Sequence, residues 1–127
     1  MSRSTKKENL LFCIVSTLIS TFGILLILKS NGFYPFKEVT LFTFDMKEQY
    51  LPFFSSLHYL IGGDDSIFFH WSKSLGGNYI GLYAYYLASP FSWLTTLFSI
   101  EKLPLAIFLM TVSKISLSGL TFSVYVN

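Results

Sequence analysis

Residues 10–28, LLFCIVSTLISTFGILLIL, decide the fold class because they contain no acidic, basic or histidine side chain. A helix of this length extends about 28 Å at roughly 1.5 Å per residue, enough to cross a hydrocarbon core of about 30 Å. We therefore predict a transmembrane helix over residues 10–28. The basic residues Arg3, Lys6 and Lys7 should keep residues 1–9 in the cytoplasm by the positive-inside rule, so that the next segment lies outside.

The composition of the whole chain agrees with a membrane protein. Of its 127 residues, 52% are hydrophobic, 19% are aromatic and only 13% are charged, and the mean hydropathy is +0.54. This balance excludes intrinsic disorder, and a net charge of +2 is too small for a nucleic-acid-binding surface. A cleaved signal peptide is the competing interpretation of residues 10–28, but its apolar core is usually only about 7 to 15 residues long.

A second apolar segment, residues 103–126, predicts the second transmembrane helix. Pro104 suits its first turn, where no intrahelical hydrogen bond is lost, and Lys114 interrupts its apolar sequence. The uncharged stretch 74–100 is rich in glycine and tyrosine and contains Trp93, which favours an interfacial position. A three-span alternative, in which this stretch also crosses the bilayer and the C-terminus lies outside, stays open.

Residues 29–102 are predicted to form a large external loop that carries most of the acidic side chains. Within it, apolar residues at helical spacing over residues 52–61 predict a short amphipathic helix, which Gly62 and Gly63 should end. Pro52 lacks a backbone N–H and is comfortable only in a first helical turn. Residues 45–50 are therefore expected to form a separate turn leading into this helix.

The sequence offers little for a metal site or a disulfide. Cys13 is the only cysteine and lies in an apolar run, and His58 and His70 lack the short helical spacing of common two-histidine metal motifs. Asp64 and Asp65 follow two glycines, so we expect solvated turn residues there.

Asp45 has two interpretations. In FDMKEQY it is followed three residues later by Glu48, which matches a capping pattern in which the Asp oxygen accepts a backbone N–H and the Glu reaches back. Alternatively, a carboxylate outside the first membrane helix and among aromatic residues could act as a base on a hydroxyl substrate. The local sequence does not choose between them.

Residues 70–94, HWSKSLGGNYIGLYAYYLASPFSWL, concentrate glycine and aromatic residues. The adjacent Gly76 and Gly77 do not fit the GxGxxG fingerprint and instead favour positive φ in a tight turn or close approach to a ligand headgroup. The aromatic residues form either an interfacial belt or a platform for sugar rings.

The order of the sequence motifs along the chain resembles that of a known family. The chain has a basic N-terminus, one span, GFYPF, DMKEQYLPFF, W-S-x-x-L-G-G-N, YAYYLASPF and the lysine-bearing KISLSGLTFSVYV. Together these resemble the N-terminal region of the YfhO-type bacterial membrane proteins, which have many more spans. We therefore expect an all-α membrane protein, here the N-terminal part of a GT-C-like polytopic fold, and a chain that is a fragment of a longer protein.

The resemblance implies a membrane glycosyltransferase of the GT-C type, which moves a sugar from a polyprenyl-phosphate donor to a cell-envelope polymer such as teichoic acid or polysaccharide. Asp45 stands at the position of that family's catalytic carboxylate in the first external loop. Lys114 is a candidate for the lipid phosphate, with interhelical pairing or snorkelling as its alternative. Further candidate substrate contacts are Glu48, Gln49, Tyr50, Trp71, Ser72, Gly76, Gly77, Asn78, Tyr85 and Tyr86.

The expected location is the bacterial cytoplasmic membrane, with the lipid bilayer, the sugar donor and the envelope acceptor as partners and no nucleic acid. Glu48, three residues after Asp45, either helps to bind a divalent metal ion or caps a helix N-terminus. Metal dependence therefore stays open. The alternative function is a non-catalytic membrane module that binds lipid or assembles with another membrane protein. Composition and topology support this non-catalytic function as well as they support a transferase.

Overall fold

A computed structural model describes residues 3–64, 66–71 and 75–126, with side chains from residue 6 onward. Within these ranges the chain is helical and forms only two isolated β-bridges and no strand. The predicted all-α fold class is confirmed. The chain divides into two compact units: unit 1 combines Met1–Val39 with Phe108–Asn127, and unit 2 is Thr40–Ile107.

Two long helices meet the length and composition required to cross a membrane. Helix α1 is Arg3–Ser30 and helix α4 is Leu103–Val126; the candidate spans are Lys6–Ser30 and Ile100–Val126, and the rest of the described chain contains no other. Large apolar side chains of α1, such as Leu18, Ile19 and Phe22, are mostly exposed. A helix with such a surface suits lipid as its solvent.

Small polar residues and a glycine hold α1 against the part of α4 that belongs to unit 1. The Ser16 hydroxyl donates to the carbonyl of Gly119 at 3.1 Å, and the Thr21 hydroxyl donates to Ser116 Oγ at 2.7 Å. A Cβ atom on Gly119 would collide with the Ser20 side chain and lie 3.2 Å from the Ser16 carbonyl oxygen. The absence of that atom lets the two backbones approach closely, as small residues do in membrane helix pairs.

In unit 2 the predicted amphipathic helix is present as α2, Leu51–Gly62. It ends as expected, because Gly63 adopts the left-handed conformation with φ +84° and donates its N–H to the Leu60 carbonyl. The separate turn expected before it is present as a π-helical turn, Met46–Tyr50, that runs directly into α2, and Pro52 lies in the first turn of α2 as predicted. Since Pro52 cannot donate and its ring crowds the carbonyl four residues back, a wider turn, with the Leu51 N–H bonded to the Met46 carbonyl, suits this position.

The second half of unit 2 consists of short helical pieces. They are α3 (Tyr79–Leu82), a π-helical turn (Tyr83–Leu87) and two 3-10 helices (Pro90–Leu97 and Ile100–Lys102). None of the pieces before residue 100 is long enough to cross a bilayer. The core of unit 2 includes the buried side chains Phe54, Leu57, Tyr79, Leu82 and Leu87.

Candidate functional site

The π-helical turns Met46–Tyr50 and Tyr83–Leu87 meet through one polar contact. The Tyr86 hydroxyl donates a 2.9 Å hydrogen bond to Oε1 of Gln49, thirty-seven residues away in the chain. Single π turns occur mostly inside longer helices and often at functional sites. The structure thus brings together Gln49 and Tyr86, two of the candidate contacts.

Aromatic rings surround this hydrogen bond and form a cluster of four residues, Tyr50, Phe53, Tyr85 and Tyr86, which we call the tyrosine cluster. Tyr86 is its centre: ring centroids lie at 5.4 Å from Tyr50, 4.8 Å from Phe53 and 4.6 Å from Tyr85. Tyr50 and Tyr85 meet Tyr86 edge to face, a favourable arrangement for aromatic quadrupoles. These contacts fix the Tyr86 ring, while Tyr85 remains 80% exposed.

An aromatic cavity of about 350 Å³ opens beside the tyrosine cluster. Its walls are Gln49, Phe53, Gly81, Leu82, Tyr85 and Tyr86. A Cβ atom on Gly81 would meet no atom within 4 Å, so the cavity is open at this glycine. Aromatic walls with one amide and two phenol groups match the make-up of small-molecule sites, in which apolar surface is combined with a few polar groups.

Asp45 does not cap the helix that follows it, so the capping interpretation is wrong. Its backbone is already helical (φ −57°, ψ −28°) and its side chain makes no capping hydrogen bond, whereas a capping residue normally has an extended backbone. The N–H of Glu48, which the carboxylate should have accepted, bonds to the Phe44 carbonyl at 3.1 Å. Phe44 makes this possible by adopting φ +47°, an uncommon conformation for a bulky residue.

The Asp45 carboxylate is consequently exposed and one helical turn before Gln49. Residues four apart on a helical segment lie on neighbouring turns of one face, so Asp45 and the wall of the aromatic cavity belong to the same side of this segment. Glu48 is also exposed. The sequence-predicted residues Asp45, Glu48, Gln49 and Tyr50 therefore form one continuous stretch that leads into the tyrosine cluster.

The candidates Trp71, Gly76, Gly77 and Asn78 lie in a different loop. His70 and Gly77 exchange two backbone hydrogen bonds of 3.0 Å, and Gly76 takes φ +90° beneath the Phe69 ring. The expected positive φ is confirmed at Gly76, where an aromatic ring of the protein makes the close approach. Trp71 is 78% exposed beside Phe69.

Asn78 has a structural role that the sequence reasoning missed. Its Oδ1 accepts the Ile80 N–H at 2.8 Å, and its backbone is extended. It therefore caps the N-terminus of α3. The Asn-Tyr-Ile sequence before a helix carries the signal that could have identified this cap. The candidate Ser72 and the predicted turn residue Asp65 lie outside the described residues.

A second, apolar cavity of about 390 Å³ lies in unit 2, lined by Leu57, Leu60, Ile67, Tyr79, Ile80, Tyr83 and Trp93. Trp93 donates its indole N–H to the Tyr83 hydroxyl at 3.1 Å, so the polar atoms of both rings are engaged with each other. Residues of the helical run 79–87 line both cavities, with Tyr79, Ile80 and Tyr83 on one and Gly81, Leu82, Tyr85 and Tyr86 on the other. This run is a wall shared by the two cavities.

Lys114 belongs to unit 1 and lies near the middle of α4, where its side chain is exposed. The tyrosine cluster belongs to unit 2. Lys114 is therefore a candidate separate from the tyrosine cluster.

The described residues offer no group of three or more His, Cys, Asp or Glu side chains that could hold a metal ion. Asp45 and Glu48 are the two acids of the stretch that leads into the tyrosine cluster, and they do not by themselves amount to such a group.

Comparison with known proteins gives one family match. A search of curated proteins and a search of solved structures each gave no significant match. A family model described as "Bacterial membrane protein YfhO" matches residues 16–127. This match covers the C-terminal half of α1, all of unit 2 and α4, and it agrees with the two apolar helices. The chain therefore belongs to the YfhO family of bacterial membrane proteins.

Proposed function

We propose that this chain forms part of a membrane glycosyltransferase that moves a sugar from a polyprenyl-phosphate donor to a cell-envelope polymer such as teichoic acid or polysaccharide. Family membership and the two candidate spans support a reaction at the bilayer. The observation that carries the proposal is the uncapped, exposed carboxylate of Asp45 one turn before Gln49, which lines the aromatic cavity.

Asp45 acts in this proposal as the general base. Its carboxylate takes the proton of the acceptor hydroxyl while that oxygen forms a bond to the anomeric carbon of the donor. The bond between that carbon and the lipid phosphate oxygen breaks, and the phosphate leaves with the bonding electron pair from the opposite face. A single displacement of this kind inverts the anomeric configuration.

The aromatic cavity is proposed to hold a sugar ring. Tyr85 presents an exposed ring, and the Gln49 amide and the tyrosine hydroxyls supply hydrogen-bonding groups suited to sugar hydroxyls. Tyr50 supports this arrangement by packing on Tyr86. Glu48, Trp71, Gly76, Gly77, Asn78 and Lys114 remain candidate contacts, and the outward orientation of the loop stays a prediction.

The first experiment tests Asp45 in membranes that carry the complete protein. Asp45→Asn keeps the shape of the side chain but removes the base, and should lower the rate of envelope-polymer glycosylation by about a hundred- to ten-thousand-fold. Asp64→Asn is the matched control, because Asp64 is another exposed carboxylate of unit 2, and it should leave the rate unchanged. Near-normal turnover of a well-expressed Asp45→Asn protein would contradict the proposed role.

The second experiment fills the aromatic cavity without touching Asp45. Gly81→Leu places a side chain where a Cβ meets no atom within 4 Å, and leucine is a better helix former than glycine, so the protein should fold. We expect weaker acceptor or donor binding, seen as a raised KM. An unchanged KM and kcat would show that the cavity is not used by substrate.

A non-catalytic, lipid-binding function is the second candidate, and the apolar cavity favours it. Native mass spectrometry of the complete protein should then detect a retained lipid that is lost in Leu60→Trp, which narrows this cavity. Transferase activity that depends on Asp45 would reject this candidate as the main function, whereas lipid retention with no transfer by the wild-type protein would support it.

A further inference from the structure

The hydrogen bond between Tyr86 and Gln49 gives the aromatic cavity a defined polarity. The Tyr86 phenol donates its proton to Oε1 of Gln49 at 2.9 Å. A glutamine amide carries an acceptor oxygen at one end and an NH2 group with two donors at the other. Oε1 is engaged inside the tyrosine cluster, and among the described residues no acceptor is bonded to Nε2. Since Gln49 lines the cavity, its NH2 group is the donor available to an occupant.

Packing around Tyr86 keeps this polarity fixed. The ring contacts Tyr50, Phe53 and Tyr85 at centroid distances of 5.4, 4.8 and 4.6 Å, and the hydrogen bond itself is partly buried. The phenol cannot turn to another partner without disrupting these three aromatic contacts. Without such a partner, a glutamine amide has a broad terminal torsion and would present either of its ends to the cavity.

The residues that line the aromatic cavity, all of them described, are uncharged, and their polar groups are one amide and two phenols. The adjoining turn does not supply a cation either. Lys47 is exposed and lies about half a turn from Gln49, whereas Asp45 is on the same side as Gln49 and Glu48 adds a second exposed acid. An anionic group in the cavity would lose water without gaining a positive partner from its walls or from this turn, which is unfavourable.

From these contacts we infer that the aromatic cavity selects the ring of an uncharged sugar and that Tyr86 acts as a positioning residue. Tyr86 holds the Gln49 amide so that Nε2 donates to a hydroxyl or ring oxygen of the sugar, while the exposed Tyr85 ring packs on an apolar face of it. Sugars that carry a carboxylate, such as hexuronic acids, are rejected. The inference rests on the proposed function for a sugar as the ligand, and it adds the class of sugar and the residue that orients the donor.

Saturation-transfer NMR on the complete protein in lipid nanodiscs tests the charge selectivity. Methyl β-glucoside and methyl β-galactoside are the neutral probes, and the methyl glycosides of glucuronic and galacturonic acid, at the same concentration and neutral pH, are their acidic counterparts. We expect at least one neutral probe to receive several-fold more saturation than its acidic counterpart. Acidic probes that are saturated as strongly as the neutral ones, or neutral probes that receive no saturation, would overturn the inference.

Two glycine variants locate the binding of the probes. Gly81→Leu fills the aromatic cavity and should abolish saturation of the neutral probes, whereas Gly23→Leu in α1, where a Cβ also meets no atom within 4 Å, should leave it unchanged. Saturation that survives Gly81→Leu would place the sugar elsewhere and overturn the inference. Because the probes bind without reacting, transfer that does not depend on Asp45 would reject the proposed reaction alone, and the binding result would still decide the inference.

A double-variant cycle tests the positioning role of Tyr86. Tyr86→Phe keeps the ring but releases the amide, and should raise the dissociation constant of the neutral probe about threefold to tenfold. Gln49→Leu should raise it at least as much, and adding Tyr86→Phe to Gln49→Leu should raise it no further, since no amide is left to orient. Tyr59→Phe, which removes the hydroxyl of another exposed tyrosine of unit 2, is the control without effect. An unchanged constant in Tyr86→Phe, or further weakening in the double variant, would overturn the positioning role.

Discussion

Unit 1 and unit 2 stabilise their polar groups in different ways. In unit 1 the hydroxyls of Thr17 and Ser20 donate to carbonyls four residues earlier in the same helix, and that of Thr21 donates to Ser116 on the facing helix. In unit 2 the phenol of Tyr86 and the indole of Trp93 find partners on other helical pieces or turns. Unit 1 therefore joins two regular helices through hydroxyl groups, whereas unit 2 joins its irregular turns through the polar atoms of aromatic side chains.

This difference explains why the candidate binding site lies in unit 2. A long regular helix arranges its side chains in regular rows and does not itself enclose a cavity. The π turns, 3-10 turns and bridged loop of unit 2 surround two cavities. Unit 1 uses close approach at Gly119, and unit 2 uses aromatic packing around Tyr86. The predictions below separate these two kinds of stabilisation.

The largest effect is expected in unit 1 from Gly119→Leu. The new side chain cannot fit between Ser20 and the Ser16 carbonyl, so the helices must separate, at a cost of about 3 kcal/mol. Thermal unfolding of the complete protein in detergent, followed by circular dichroism, measures the loss. Gly23→Leu is the matched control, because a Cβ there meets nothing within 4 Å. Equal stability of the two variants would contradict the close helix contact.

In unit 2, Gly76→Ala should be the most damaging glycine substitution. The alanine would have to adopt φ +90° and its Cβ would collide with the Phe69 ring, which together cost about 2 kcal/mol. Gly63→Ala has a similar φ of +84° but open space around the Cβ, so it should cost only about 1 kcal/mol. Tryptophan fluorescence during unfolding compares the two, and a smaller effect at Gly76 would disprove the contact with Phe69.

Tyr86→Phe tests the long-range polar contact of the tyrosine cluster. The ring and its packing remain, but the part-buried Oε1 of Gln49 loses its donor, which should cost about 1 kcal/mol in unfolding free energy. The double variant with Gln49→Leu should recover part of this loss, since the unpaired amide is then gone. A loss in the double variant equal to the sum of the two single losses would argue against a direct bond.

The smallest effect is expected from Thr21→Val in unit 1. This change removes the 2.7 Å hydrogen bond to Ser116 but keeps the volume, and hydrogen bonds between membrane helices average about 0.6 kcal/mol. Ser116→Ala should give a similar value, and the double variant no more than either. A loss larger than that of Tyr86→Phe would reverse the contrast between the two units.

The sequence predicts the regular parts well because they follow from local patterns. Residues 103–126 and 52–61 were marked by hydropathy and spacing, and the structure has helices at Leu103–Val126 and Leu51–Gly62. Helix α1 extends beyond the predicted span to Arg3–Ser30, because the flanking polar residues continue the helix. Membrane boundaries and sidedness stay predictions.

The candidate site was predicted only in part. Gln49, Tyr50, Tyr85 and Tyr86 were named, and the structure brings them together, but Phe53 and Gly81 were not expected to line a cavity with them. The missing information is the two π turns, which change the side-chain register and have no clear local signature. At Asp45 the sequence pattern is compatible with a helix cap and with a general base. The positive φ at Phe44, which accompanies the loss of the cap, also has no signal in the sequence.

Residues 79–87 separate the two cavities of unit 2 and contribute side chains to both. An occupant of the apolar cavity that displaces Tyr83 also moves its neighbours Leu82 and Tyr85, which line the aromatic cavity. Thermodynamic linkage then requires that each occupant alter the affinity for the other by the same factor.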